Sequence, residues 1–349
     1  MNKFKLFWIK VWHVLRRFPV FMSIAVILPV TIYYGRFLFA PEAYYFNLNF
    51  DGEKLPVDPT QFSITKIDPM FKIMDISSFS NYQGAAGYKN YYALCSNNFE
   101  CIIIYNMETK KVENQLFTDQ VNNEYHCNTC FFGPYFYKSS DKYPLLYISM
   151  ENEGIERTIV CRLDPTVSKN QVTVIQEIYF EVDNGEKIYY PNSYFDYDNG
   201  LMYYGGYTKK SYMQSEDNLL RYYVFELPDY RIEGAILQTS DALDTFDLPS
   251  ETATQGGFIS EGFLYQTFSF NSNNEFNRMP KFRLVDLKEK KIIYKVDNLG
   301  EINGVYDEFE NVAVCEDGHM YGFGVKSLKI YDFQYTGKKY ILEKLYKER

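Results

Sequence analysis

Small polar segments carry the side chains of this sequence that are best suited to bind a ligand. The predicted ligand-binding residues are His126, Asn128, Asn192 and Gln255. A histidine exchanges protons or polarises a bound group near neutral pH, and side-chain amides form directional hydrogen bonds. Gln83 and either Glu308 or Glu310 occupy corresponding positions in similar segments. The alternative is that these polar groups only hydrogen-bond to water in a channel.

The cysteine spacing permits one disulfide and predicts no metal site. Cys95 and Cys101 flank a short loop between two predicted paired strands, so an exported protein could join them. Cys127 and Cys130 have CxxC spacing, but alternation along an extended strand puts their sulfurs on opposite faces. The second pair therefore predicts neither a thioredoxin-like motif nor zinc, and we expect no metal and no cofactor.

No set of residues identifies a reaction. GxSxG, Walker and GxGxxG motifs do not occur where a strand leads into a helix, and the carboxylates are scattered along the chain. The catalytic residues are therefore unknown. The sequence favours a ligand-binding or protein-interaction module over an enzyme. The alternative is a hydrolase, lactonase or cyclotransferase that acts at the mouth of a channel.

A repeat organises the segments that carry these residues. Its five tyrosines, spaced 55, 56, 62 and 56 residues apart, are Tyr92, Tyr147, Tyr203, Tyr265 and Tyr321. Each is followed by a tripeptide that ends in an apolar residue, as in Val285-Asp286-Leu287. A near-regular period of this length indicates one supersecondary unit that is copied around an axis or along a stack.

Each repeat reads as four short strands. The innermost contains small and polar residues, as at 83–87, 126–130, 191–195, 254–258 and 308–312, and the outermost is rich in charge, as at 110–113 and 339–342. This pattern predicts an all-β fold, a β-propeller of five or six four-stranded blades, because bulky side chains would collide at the axis. Residues 61–76 either add an outer strand to the last blade or form a sixth blade, and a β-solenoid is the alternative fold.

The repeats over residues 82–346 resemble exported bacterial propellers of the NHL and gluconolactonase-like groups. The resemblance is in architecture, and it implies an exported five- or six-bladed propeller with no specified reaction. Two short elements, Ala253-Thr254-Gln255-Gly256 and Asp307-Glu308-Phe309-Glu310, also resemble segments of plant-type glutaminyl cyclotransferases. That likeness implies a cyclotransferase activity as one reading of the channel mouth.

The N-terminal region predicts a membrane anchor. Residues 18–34 contain no charge, and extension through residue 39 gives a helix of about 30 Å, which matches a bilayer core. Five basic residues precede the span, so residues 1–17 stay in the cytoplasm, residues 40–60 form a tether and residues 61–349 form an extracytoplasmic propeller. The alternative is a cleaved signal peptide.

Charge limits the partners of the propeller. Residues 1–40 contain six basic side chains and no acid, which leaves 30 basic and 45 acidic side chains in the rest of the chain. An acidic body repels nucleic acid, whose binding depends on clustered Lys and Arg. We therefore expect a membrane contact through residues 18–39, a protein or small-molecule ligand, and no nucleic acid.

Overall fold

The computed structural model describes residues 50–73, 82–119, 126–150, 156–183, 185–211, 217–232, 234–269 and 279–338. The predicted cytoplasmic segment 1–17, the predicted span 18–39, the first part of the predicted tether (40–49) and the predicted strand 339–342 lie outside these ranges. Within them, no helix is both long and apolar enough to cross a membrane.

The described chain forms five antiparallel sheets, which are the blades of a β-propeller. In each blade four strands lie side by side, from an innermost to an outermost strand. With strands numbered in chain order, blade 1 contains β2 (Tyr82–Tyr88), β3 (Tyr91–Ser96), β4 (Cys101–Asn106) and β5 (Lys111–Phe117), and blade 2 contains β6 (Cys127–Phe132), β7 (Leu146–Met150), β8 (Arg157–Leu163), β9 (Val172–Glu181) and β13 (Ala235–Gln238). Blade 3 contains β10 (Tyr189–Asp196), β11 (Leu201–Tyr207), β12 (Leu219–Glu226) and β14 (Asp244–Pro249), and blade 4 contains β15 (Thr254–Ser260), β16 (Phe263–Phe268), β17 (Lys281–Asp286) and β18 (Lys291–Val296). Blade 5 contains β19 (Phe309–Val314), β20 (Met320–Gly324) and β21 (Lys329–Tyr335) together with the first strand of the chain, β1 (Ile64–Lys72). Short helical turns occur at Pro59–Gln61, Thr239–Asp241 and Gly300–Asn303. The predicted all-β propeller is confirmed, with five blades.

The ring closes through its innermost strands and through β1. The inner strands contact one another in the order β2, β6, β10, β15, β19 and back to β2. Strand β1 pairs antiparallel with β21, so the N-terminal strand completes the last blade. Residues 61–76 therefore supply an outer strand of the last blade, which confirms one of the two alternatives predicted for them. That strand has the outermost position in blade 5, which the sequence interpretation had given to residues 339–342.

An additional strand departs from the four-stranded pattern. The connection between β12 and β14 of blade 3 contains β13, which runs parallel to β9 at the edge of blade 2. Its Ile236 side chain remains 57% exposed. The insertion appears in the sequence only as a longer interval, the 62 residues between Tyr203 and Tyr265, because it lengthens one repeat without changing its inner strands.

The tyrosines of the repeat lie on the second strand of each blade and are buried between blades. Within blade 2, Tyr147 stacks on Phe131 with ring centroids 4.9 Å apart, and across the boundary of blades 1 and 5 the ring centroids of Tyr92 and Tyr321 lie 6.3 Å apart. Burial of an aromatic ring of this size contributes roughly 1.5–3 kcal/mol. The repeat thus records the packing between neighbouring sheets, which explains why it is visible in the sequence.

Small residues allow the inner strands to touch. A Cβ atom on Gly87 would lie 1.8 Å from the carbonyl oxygen of Val314, and one on Gly84 would lie 2.5 Å from that of Asn128. Blade 1 therefore meets blades 5 and 2 backbone to backbone. This contact is the physical reason for the glycine- and alanine-rich inner segments.

Residues 50–58 pack against the propeller, although the sequence placed them in a tether. The amide of Phe50 donates to Pro134 O at 2.7 Å, Leu55 donates to Ser260 Oγ at 3.0 Å, and Asp58 donates to Gly337 O at 2.9 Å. Leu55 and Val57 are both buried. This stretch, called the covering segment below, crosses one face of the ring from blade 2 to blade 5.

Candidate functional site

Every inner strand contains a break in register near its first residues. The shifts lie between Tyr82 and Ala85, Cys127 and Cys130, Tyr189 and Asn192, Thr254 and Gly256, and Phe309 and Val312. A β-bulge of this kind turns side chains out of the usual alternation, and bulges are frequent beside functional sites. The predicted polar residues lie in or next to these bulges.

We call this set the polar girdle, since its members lie on all five inner strands. It consists of Gln83, Asn128, Asn192, Gln255, Glu310 and Asn311. Asn128, Asn192 and Asn311 are almost completely buried, whereas Gln83 is half-buried. The girdle therefore extends from partly accessible side chains to groups that are fully removed from solvent.

Hydrogen bonds join the girdle across blade boundaries. The Thr129 hydroxyl donates to Asn192 Oδ1 at 2.7 Å, which links blades 2 and 3. Asn128 Nδ2 donates to the carbonyl of Thr254 at 3.2 Å, which links blades 2 and 4 across the axis. Blades 5 and 1 are linked in the same way, because Asn311 Nδ2 donates to Ala85 O at 2.7 Å.

Three girdle atoms on three blades have no hydrogen-bond partner within the described residues. They are Gln83 Oε1, Asn192 Nδ2 and Asn311 Oδ1, and all three are buried. A buried polar atom left in this state costs about 1–3 kcal/mol. Two acceptors and one donor of the girdle are therefore available for water or for a ligand.

Gln255 and Glu308 form the edge of the girdle at the junction of blades 4 and 5. Gln255 Nε2 donates to Ser269 O at 2.9 Å and to Glu308 Oε1 at 3.2 Å. His126 lies immediately before β6 and is half-buried. Burial lowers the pKa of His126, so its imidazole is neutral at pH 7 and can act as a donor or an acceptor.

The other end of the inner strands has a different character. A cavity of about 30 Å³, called the apolar cavity below, is lined by all five of these strands. Aromatic rings contribute much of its wall, including Phe131, Phe195 and Phe258. A space of this size admits one or two waters.

Glu53 of the covering segment is the carboxylate at this cavity. Its Oε1 accepts a hydrogen bond from the amide of Lys89 at 2.6 Å. Burial raises the pKa of Glu53, the Lys89 amide partly opposes that change, and the negative charge of Glu316 adds to it. Sequence patterns gave no indication of this residue, because its role depends on where the covering segment crosses the ring.

The structure separates the predicted site residues from the apolar cavity. None of His126, Asn128, Asn192 and Gln255 is among the residues that line it. Asn128, Asn192 and Gln255 instead belong to the hydrogen-bonded girdle. Asn192 accepts a hydrogen bond from Thr129, which follows Asn128 in the chain, and Asn128 donates to the carbonyl of Thr254, which precedes Gln255. Asn311 joins them, although sequence reasoning gave that position to Glu308 or Glu310.

All six cysteines are free in this structure, and Cys95 and Cys101 belong to different apolar clusters on opposite faces of blade 1. A disulfide between these two stays a prediction. Cys127 and Cys130 lie in one cluster, contrary to the expectation of opposite faces, because the bulge in β6 reverses the alternation between them. Within the described residues, no group of three or more His, Cys, Asp and Glu side chains is arranged to hold a metal ion.

Buried charge lies between blades 3 and 4, where the sequence offered no indication of it. Arg283 is 0% exposed and donates to Gln266 Oε1 at 2.9 Å, to Tyr222 Oη at 2.8 Å and to Pro249 O at 2.8 Å. Its guanidinium also lies 4.7 Å from the centre of the Phe268 ring. Hydrogen bonds from Arg283 to these neutral acceptors hold blades 3 and 4 together, so the role of Arg283 is structural.

No protein-family model and no curated protein matches this chain. Similar solved structures include glutaminyl cyclase of Myxococcus xanthus, at 9% identity and a TM-score of 0.43 over 78% of this chain and 96% of that one. The PQQ-bound aldose sugar dehydrogenase of Streptomyces coelicolor aligns at 9% identity and a TM-score of 0.48 over 80% and 99%. Hydrazine synthase of Kuenenia stuttgartiensis aligns at 9% identity and a TM-score of 0.42 over 79% and 82%. At these TM-scores, none of the three bears on the activity of this chain.

Proposed function

We propose that this protein is a ligand-binding module that holds a small polar molecule at the polar girdle. The observation that carries the proposal is the set of three buried, unpartnered atoms, Gln83 Oε1, Asn192 Nδ2 and Asn311 Oδ1. They come from the inner strands of blades 1, 3 and 5, and the inner strands contact one another around the ring. Neutral amides keep their hydrogen-bonding capacity when they are desolvated, which favours selection by hydrogen-bond geometry.

The girdle favours a ligand rich in O–H or N–H donors. Gln83 and Asn311 offer acceptors and Asn192 offers a donor, while Glu308 and Glu310 add negative charge beside them. The five inner strands contain no Lys and no Arg. A saccharide, a polyol or an amine fits this set, and an anion does not, because the carboxylates would repel it.

Thermal denaturation of the full chain in detergent micelles tests the binding proposal. The probes are glucose, inositol, glutamine and putrescine, each at millimolar concentration. At least one of them should raise the Tm of the wild type, because a ligand that binds only the folded state stabilises it. Asn192→Ala should lose that shift, whereas Asn106→Ala should keep it, since Asn106 Oδ1 serves only a surface turn. An unchanged Tm with all four probes would overturn this ligand class.

A cyclotransferase is the second candidate, favoured by one contact. Gln255 and Glu308 belong to the two segments that resemble plant-type glutaminyl cyclotransferases, and they are hydrogen-bonded to each other at 3.2 Å. A carboxylate held by an amide can accept a proton from an amine nucleophile. Release of ammonia from a peptide that begins with glutamine, abolished in Glu308→Gln, would establish this activity. Absence of ammonia release from the wild type would exclude it.

We further propose that residues 18–39 anchor the chain and that the propeller lies outside the cytoplasm. The support is the asymmetric distribution of charge around an uncharged apolar stretch. Protease added to intact spheroplasts should remove the propeller and leave a short membrane-bound fragment. A propeller that stays intact until the spheroplasts are lysed would contradict this orientation.

A further inference from the structure

Three buried cysteines meet at the junction of blades 1 and 2. Cys95 is the penultimate residue of the second strand of blade 1, and Cys127 and Cys130 belong to the inner strand of blade 2. All three belong to one apolar cluster and are at most 3% exposed. The Cys127 amide donates to Asn97 O at 2.9 Å, which holds the start of β6 against the turn that follows Cys95.

Cys95 is the member that the other two share. The bulge at Gln83 and Gly84 in β2 lies opposite Cys95 in the paired strand β3. Cys127 donates to the Met150 sulfur at 3.6 Å, and Gly84 leaves the space for Cys130, since a Cβ on Gly84 would lie 2.2 Å from the Cys130 sulfur. The Cys130 sulfur therefore lies against the bulge that faces Cys95, and Cys127 lies in the same apolar cluster at the start of the same inner strand.

We infer that Cys95 forms a disulfide with Cys127 or Cys130 in the oxidised protein, and that this bond ties blade 1 to blade 2. Rotation about the Cα–Cβ bond of a cysteine moves its sulfur without moving the backbone, and a disulfide needs about 2.05 Å between sulfurs. Either bond closes a loop of roughly 30 residues, which restricts the unfolded chain. The inference does not depend on the proposed ligand.

The reaction requires an oxidant, which we assign to the class of low-molecular-weight disulfides. The thiolate of Cys95 attacks one sulfur of the oxidant and releases one thiol, and the thiolate of Cys127 or Cys130 then displaces the second from the mixed disulfide. Two protein thiols are oxidised, one oxidant disulfide is reduced to two thiols, and the two protons pass to the leaving sulfurs. Because the cluster is buried, the exchange takes place while the chain folds.

In the folded, reduced protein, the surroundings of the three thiols distinguish Cys95 from its two partners. Burial disfavours the Cys95 thiolate, but the S–H groups of Cys127 and Cys130 outweigh burial and lower the pKa of Cys95 to about 5. Burial raises the pKa of Cys127 and of Cys130, so these two remain thiols and act as donors. A thiolate is the nucleophile in disulfide exchange.

Thiol counting with peptide mapping tests the inference on the full chain. The protein is refolded in detergent with oxidised glutathione, denatured, alkylated with iodoacetamide and digested for mass spectrometry. Two of the six cysteines should escape alkylation, and a linked peptide should join Cys95 to Cys127 or Cys130. Alkylation of all six, or a linked peptide that contains Cys101 or Cys315, would overturn the inference.

Substitutions separate the shared cysteine from its two partners. Cys127→Ala and Cys130→Ala should each keep a disulfide, because the other partner remains, whereas Cys95→Ala should keep none. The control is Cys315→Ala, which removes a buried thiol from a different cluster and should leave the linked peptide intact. Linked peptide in Cys95→Ala would contradict the assignment.

Reduction provides a measurement that does not depend on any variant. Reductant should lower the Tm of the wild type by roughly 5–10 °C, as expected for a loop of this size in a domain of this size. Cys95→Ser should unfold at one Tm with and without reductant. An equal effect of reductant on both proteins would place the stabilisation elsewhere.

Discussion

The two ends of the five inner strands differ in how their interior groups are satisfied. At the apolar cavity, aromatic rings and a covering segment exclude solvent, and the available space holds only one or two waters. At the polar girdle, amides link the blades and still leave three buried atoms without a partner among the described residues. The same five strands thus stabilise the ring at one end and keep free hydrogen-bonding capacity at the other, so stability and recognition should respond to different substitutions.

Leu55→Ala should have the largest effect on stability, because it removes a buried anchor of the covering segment. Leu55 is 1% exposed and belongs to the apolar cluster of blades 4 and 5. A buried leucine truncated to alanine costs about 3 kcal/mol of the free energy of unfolding. Urea denaturation of this variant beside Leu243→Ala, whose side chain is 61% exposed, measures the difference. Equal losses in both variants would show that the covering segment contributes nothing.

Gly87→Ala should reduce the free energy of unfolding by about 2–3 kcal/mol, since the new methyl group would meet the backbone of blade 5. The Val314 carbonyl oxygen is 1.8 Å from the position of that Cβ, and a backbone atom cannot move aside cheaply. The control is Gly262→Ala, at φ 76° with open space around it, which should cost only about 1 kcal/mol of backbone strain. If Gly87→Ala unfolds at the wild-type urea concentration, the inner strands do not need their close contact.

Asn192→Ala should have a smaller effect on stability, about 1 kcal/mol. It removes the acceptor for the Thr129 hydroxyl but also removes a buried donor that has no partner. Chemical denaturation gives the stability, and calorimetric titration with whichever probe raises the Tm gives the affinity. A loss above 3 kcal/mol would make the girdle a stability element and would remove the contrast with the apolar cavity.

Glu53→Gln should have the smallest effect, below about 1 kcal/mol because Glu53 is half-buried and solvent screens its charge. The raised pKa of Glu53 means that the folded protein holds this proton more tightly than the unfolded chain. Its contribution is therefore most favourable below the ordinary glutamate pKa and declines as pH rises through the folded pKa.

The measurement for this last substitution is the free energy of unfolding at several pH values. The difference between Glu53→Gln and the wild type should shift in favour of the variant as pH rises from about 4.5. Glu289→Gln, at an exposed position, is the matched control and should show no such trend. A trend of the opposite sign would mean that the covering segment holds Glu53 as a carboxylate.

Sequence patterns alone predicted the propeller, its five repeats and the inner strands of the blades, but they left five or six blades open and gave the outermost strand of blade 5 to residues 339–342. They predicted the repeats because a tyrosine packs between blades in each repeat and because the inner strands need small residues, so the constraint recurs at a fixed period. The polar girdle was partly predictable on the same grounds, since Asn128, Asn192 and Gln255 occupy equivalent positions.

Tertiary structure alone decided what depends on register and on distant segments. The bulges in the inner strands reverse side-chain alternation, which brings Cys130 to the same side as Cys127 and adds Asn311 to the girdle. The crossing of residues 50–58 places Glu53 at the apolar cavity, and ring closure by β1 fixes the blade count. A one-residue shift in pairing and a contact between remote segments leave no periodic trace in a sequence, because neither is repeated from blade to blade.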